Sequence, residues 1–125
     1  MKDILFRAWD KDAGGQYHYF SLEDLNYGRV KLTLSSCQVE QFTGLFDKSG
    51  KKIYEGDIVQ CFGPSIRPAL VEWQDGGFGY YVPYDFIWFG HNYNFEWKDG
   101  HSQKIEVIGN SFEKPALLKK LEKKK

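Results

Sequence analysis

The sequence predicts a mainly β domain, built as a small SH3-like barrel with N-terminal strands packed against it and a short C-terminal helix. Three observations lead there. Short alternating runs recur along the chain, turn signals rich in Gly and Asp separate them, and 18% of the 125 residues are aromatic. Aromatic and β-branched residues in runs of four to eight, punctuated by such turns, are the signature of strands.

The elements follow in order. Ile4–Trp9 alternates Phe6 and Ala8 with Leu5, Arg7 and Trp9, which suits a strand covered in part on both faces. Residues 10–15 (DKDAGG) are turn chemistry, and the aromatic run Tyr17–Phe20 returns as a hairpin. Ser21–Gly28 reads as one short helical turn. Val30–Leu34 and Gln38–Phe42 read as strands, followed by the turn Asp47-Lys48-Ser49-Gly50. From about Asp57 to Ile108 come the strands of the expected barrel: Asp57–Phe62, Ala69–Trp73, Phe78–Val82 and Lys104–Ile108. Asp75-Gly76-Gly77 marks a hairpin between two of them, with both glycines expected to supply positive φ. The helix is expected over about 115–124. Pro115 pre-sets its first turn, Leu117, Leu118 and Leu121 share a face, and lysines oppose the dipole at its end.

A chain of this length holds one core, so a single domain over 1–125 is expected. Five of the 17 basic residues and one of the 17 acidic ones lie in 117–125 (LLKKLEKKK), which leaves 12 basic and 16 acidic residues over 1–116. The body is therefore acidic by about four charges on this formal count, a poor footprint for a dedicated nucleic-acid binder. No apolar run approaches a membrane span, and the first ten residues lack a signal-peptide core, so a cytoplasmic protein is expected. Cys37 and Cys61 form no C-x-x-C pair and are expected to be thiols.

The motifs of common chemistry are missing or defective. Gly44–Lys52 (GLFDKSGKK) has five residues between its glycines where a P-loop has four, and no Ser or Thr after Gly50-Lys51. Asp10, Asp12 and Gly15 match three positions of a calcium loop, but Ser21 stands where the bidentate Glu belongs. His18, His91 and His101 show no metal-ligand spacing. No G-x-S-x-G surrounds a serine, and neither cysteine has the context of a nucleophile. No metal, no cofactor and no enzymatic activity are expected.

The most distinctive stretch is Phe78–Trp97, in which ten of twenty residues are aromatic. No Lys or Arg lies between Arg67 and Lys98, whereas Glu72, Asp75, Asp85 and Glu96 do. Rings that stack on single-stranded nucleic acid are interleaved with cations, so this stretch points away from that use. Core packing accounts for some of the rings. The remainder, with Tyr84, Phe86, Trp88, Phe89 and Tyr93 as candidates, is expected to form a protein-contact patch, Trp88 and Phe89 being its preferred anchors. The lysine tail supports an alternative, a weakly and salt-sensitively nucleic-acid-associated module.

Three ordered blocks give the chain a family resemblance. They are Ile4–Asp10 (ILFRAWD), Gln41–Val59 (QFTGLFDKSGKKIYEGDIV), and Glu106–Asn110 (EVIGN) continuing through Glu113 to Pro115-Ala116-Leu117-Leu118, with Val71-Glu72-Trp73 between the last two. Together they resemble the YopX family of bacteriophage and prophage proteins. Phe42 stands where similar proteins often have Tyr, and the aromatic stretch and lysine tail are particular to this chain. The resemblance implies a phage or prophage origin and a β-rich fold, and it brings no catalytic residues. A non-enzymatic accessory protein that binds a protein partner or itself is the leading expectation.

Overall fold

A computed structural model describes residues 4–12, 14–30, 37–61, 68–82, 85–91, 96–114 and 116. It is mainly β, with ten strands and one short α-helix among the described residues. The chain divides into two compact units, 1–42 and 43–125.

In the first unit, β1 (Leu5–Asp10) and β2 (Gln16–Ser21) form an antiparallel hairpin running from Leu5 opposite Ser21 to Asp10 opposite Gln16. Its turn closes with Gly14 and Gly15 at φ of 81° and 75°, values that glycine adopts without steric cost. On its other side β1 pairs antiparallel with the start of β3 (Cys37–Phe46). Phe6 stacks on Phe20 at 5.5 Å, and Ala8 and Phe20 are buried. Ser21 ends β2 and caps α1 (Leu22–Asn26). Its Oγ accepts from Asp24 N, while Asp24 Oδ2 accepts from Ser21 N. This reciprocal cap lets so short a helix form.

On the opposite face of this sheet lies a buried ion pair. Arg7 Nε donates to Glu40 Oε1 at 2.8 Å, Tyr17 OH donates to the same oxygen, and the guanidinium lies 4.3 Å from the centre of the Tyr17 ring. The register explains the meeting, because Arg7 stands directly opposite Glu40 on the adjacent strand.

In the second unit β3 continues beside β4 (Lys52–Tyr54). The turn between them is organised by Asp47. One carboxyl oxygen accepts from Ser49 N, Ser49 Oγ and Lys51 N, and the other accepts from Val107 N at 2.9 Å. Asp57 plays the same part at the next turn, accepting from Tyr54 N at 2.8 Å. β5 (Asp57–Cys61) lies between β6 (Pro68–Leu70) and β10 (Ile105–Asn110), all antiparallel, and β10 carries a register shift between Val107 and Gly109. At Val71 the chain leaves this sheet for a second one, β7 (Glu72–Gln74), β8 (Gly77–Val82) and β9 (Asp85–Trp88), again antiparallel. A 3₁₀ turn, Phe89–His91, follows. The core is Ile53, Val59, Val71, Phe89, Ile105 and Val107, with Leu45, Phe78, Tyr80, Ile87 and Trp97 packed against it.

Several expectations are refined. The stretch from Asp57 to Ile108 forms two three-stranded sheets, and the described strands do not close into a barrel. The Ala69–Trp73 strand is interrupted at Val71, whose N–H donates to Asp57 O at the start of β5 and whose C=O accepts from Gly56 N just before it. In the hairpin after Gln74 the two positive φ values belong to Asp75 (48°) and Gly76 (87°), the signature of a type I′ turn, while Gly77 already lies in β8. β3 extends four residues beyond the expected Phe42. The expected strand Val30–Leu34 falls, apart from Val30, outside the described residues, as does the C-terminal helix apart from Ala116.

Candidate functional site

The β7–β8–β9 sheet has two chemically different faces, and side-chain alternation separates them. Phe78, Tyr80 and Ile87 point to the core. The other face carries Glu72, Gln74, Gly77, Gly79, Tyr81, Phe86 and Trp88. Cross-strand partners share a face, and the register sets Glu72 opposite Gly79, Gly79 opposite Trp88, and Tyr81 opposite Phe86.

Two glycines make room for the rings on this outer face. A Cβ on Gly77 would lie 2.8 Å from Trp88 Cδ1, and one on Gly79 would lie 2.0 Å from the Ile87 carbonyl oxygen and 2.9 Å from the Phe86 ring. The Trp88 indole therefore lies across β8 and donates from Nε1 to Gln74 O at 2.9 Å. Tyr81 OH donates to Gln74 Oε1. Phe86 sits edge-on between its neighbours, 4.8 Å from Tyr81 and 5.0 Å from Trp88 between ring centres. Edge-to-face pairs at this spacing attract beyond their buried area. The result is a second, smaller aromatic cluster on the face away from the core.

The five expected patch residues separate accordingly. Phe89 is 1% exposed and belongs to the core, where it packs edge-on against Trp97 and its carbonyl accepts from Trp97 Nε1. Phe86 is 4% exposed and forms the centre of the outer cluster. Trp88 is half-buried and anchored within its own sheet. Tyr84 and Tyr93 lie outside the described residues. The rings that reach solvent are two others: Trp73 at 54% and Tyr81 at 44% exposure. Trp73 packs edge-on against Phe78, its cross-strand partner beside the hairpin end. Its position one residue before Gln74 and the turn was the available signal, since a ring there hangs over the end of the sheet.

The sheet brings no cation of its own, because residues 68–97 contain neither Lys nor Arg. Glu72 Oε2 is buried and finds no hydrogen-bond partner among the described residues.

The other polar clusters are braces. Every acceptor direction used by Asp47 meets a backbone or Ser49 donor, and Ser102 Oγ accepts from Lys104 N and Ile105 N. Burial alone would raise the Asp47 pKa. The hydrogen bonds from Val107, Ser49 and Lys51 outweigh it and hold the carboxyl below its ordinary value. His101 stacks on Phe46 at 4.5 Å. Among the described residues no three His, Cys, Asp or Glu side chains gather where a metal could bind, and no helix is long and apolar enough to cross a membrane.

A family model described as YopX protein matches residues 5–119. The chain belongs to the YopX family. Among solved structures this YopX chain is similar to the crystal structure of protein EF1440 from Enterococcus faecalis. The TM-score is 0.55 at 23% identity, over 92% of this chain and 97% of that one. At that identity the likeness concerns the fold alone. No curated protein matches the chain.

Proposed function

We propose that this YopX protein is a phage or prophage accessory protein that acts in the bacterial cytoplasm by binding protein, a partner or a second copy, and not by catalysis. The contact surface is the β7–β8–β9 sheet. The observation that carries this reading is that two large rings are left about half exposed on one small sheet that contains no cation, Tyr81 on its outer face and Trp73 at the hairpin end of its other face. Large rings are favoured anchors at protein interfaces, where they bury much area at small entropic cost, and truncating one commonly costs about 2 kcal/mol or more of binding. The lack of Lys and Arg beside them turns the same rings away from nucleic acid, whose phosphates need cations.

The test is affinity capture with tagged wild-type chain and with a Trp73→Ala, Tyr81→Ala double variant of matched thermal stability. A protein retained by the wild type after nuclease treatment and released by the double variant supports the reading. Retention that vanishes with nuclease makes the chain a nucleic-acid-associated module instead.

A further inference from the structure

We propose that the edge of β7 at Trp73 receives an extended, basic segment of a protein partner, which adds to the β7–β8–β9 sheet as a short strand. The inference rests on the protein-binding reading and names the chemistry of the partner.

The backbone sets the place. Asp75-Gly76 is a two-residue turn, so Gln74 and Gly77, which flank it, exchange both of their backbone hydrogen bonds. Bonding alternates along an antiparallel pair. Glu72 and Gly79 therefore exchange bonds as well, and the N–H and C=O of Trp73 between them point away from β8. On that side of the chain Val71 bonds Asp57 O and Gly56 N, but no described residue bonds the Trp73 backbone. The Trp73 indole N–H also meets no acceptor among the described residues, whereas Trp88 and Trp97 both donate theirs to backbone carbonyls. The ring itself is 54% exposed. One residue thus offers a strand edge, a side-chain donor and an aromatic surface. Strand addition draws affinity from such main-chain bonds and specificity from the side chains around them.

The surroundings select a basic occupant. Between Lys52 and Lys98, Arg67 is the one Lys or Arg, against six Asp or Glu. Asp75 is exposed two residues beyond Trp73, and Glu55 immediately precedes the glycine that bonds Val71. A second copy would bring the same acidic edge against itself, whereas a basic segment is complementary to it. Val71 is already bonded on one side and the chain turns at Asp75 on the other, so the opening is one residue pair long. Antiparallel pairing lets a single incoming residue bond both the N–H and the C=O of Trp73. It also sets that residue's side chain beside the indole, on the same face. A guanidinium in that position stacks on the ring.

The experiment uses the intact chain, labelled with nitrogen-15, and three blocked peptides: acetyl-Val-Arg-Val amide, acetyl-Val-Glu-Val amide, and the arginine peptide methylated on its arginine backbone nitrogen. The arginine peptide is expected to shift the Trp73 amide and indole N–H signals saturably. The glutamate peptide should act more weakly. Methylation removes the donor to Trp73 O and should weaken the response about fivefold or more, the factor for one net hydrogen bond. No saturable shift with the arginine peptide, or an equal response to either of the others, overturns the proposal. Shifts of the same signals that grow with protein concentration and need no peptide would give the edge to a second copy and also overturn it. Capture of a protein partner that depends on Trp73 and Tyr81, without any response to the arginine peptide, would leave the binding reading standing while removing this one.

Discussion

The indole of Trp88 and the bare Cα of Gly77 occupy one space on the outer face of the β7–β8–β9 sheet: a Cβ on Gly77 would lie 2.8 Å from Trp88 Cδ1. That contact lets the indole N–H reach across β8 to Gln74 O, which closes the hairpin begun by the Asp75-Gly76 turn. Turn, glycine and ring are thus one device.

Gly77→Ala is therefore expected to destabilise the chain by about 1–3 kcal/mol, the usual range for overpacking. Gly79→Ala should cost more, because its Cβ would meet the Ile87 backbone carbonyl at 2.0 Å, and backbone yields less readily than a side chain. Urea denaturation of the two variants checks both the size and the order.

The pair Phe89 and Tyr81 separates core from surface. Phe89→Ala is expected to cost about 3–5 kcal/mol, as for a fully buried ring. Tyr81→Ala, at 44% exposure, should cost far less. Thermal melts of the two variants give the comparison, and equal losses would mean that Tyr81 is a packing residue.

The aromatic stretch shows why part of the site was legible in the sequence and part was not. Composition alone marked Phe78–Trp97 as unusual, and the missing cations were already visible. Which ring faced where depended on register, and register depends on a turn. With Asp75 and Gly76 as the turn's centre, Gly77 becomes a strand residue, and Phe86 and Phe89 fall on opposite faces, both covered. Trp73 was passed over because a strand pattern gives its face but not its place at the sheet's end. The pairing of Arg7 with Glu40 was beyond reach for a similar reason, since 33 residues separate them and only the strand order brings them together.

Asp47 gives the fold an acid limit. Its folded pKa lies below the unfolded value of about 3.8, so the stability it contributes is fully present above that value and is lost as pH falls through the folded pKa. Asp47→Asn should flatten this loss. Asp47→Ala should cost about 3 kcal/mol at neutral pH, because the buried Val107 N–H loses its acceptor. Denaturation midpoints between pH 2 and 7 for the wild type and both variants test the sign and the window.

Glu40→Gln leaves the Arg7 guanidinium buried without its counter-charge. A loss of about 3–5 kcal/mol is expected, as for other buried pairs broken on one side. Replacing Arg7 and Glu40 together by Met and Leu should recover much of it, and a double-mutant cycle by urea denaturation measures the recovery.

The most direct test of the account is quantitative capture from a bacterial lysate that also contains untagged chain, using nuclease-treated wild-type bait beside the Trp73→Ala, Tyr81→Ala variant. The account predicts a protein, foreign or a second copy, bound in stoichiometric amount to the wild type and reduced at least about tenfold on the variant. Equal binding by both baits, or binding to the wild type that disappears with nuclease, would contradict it.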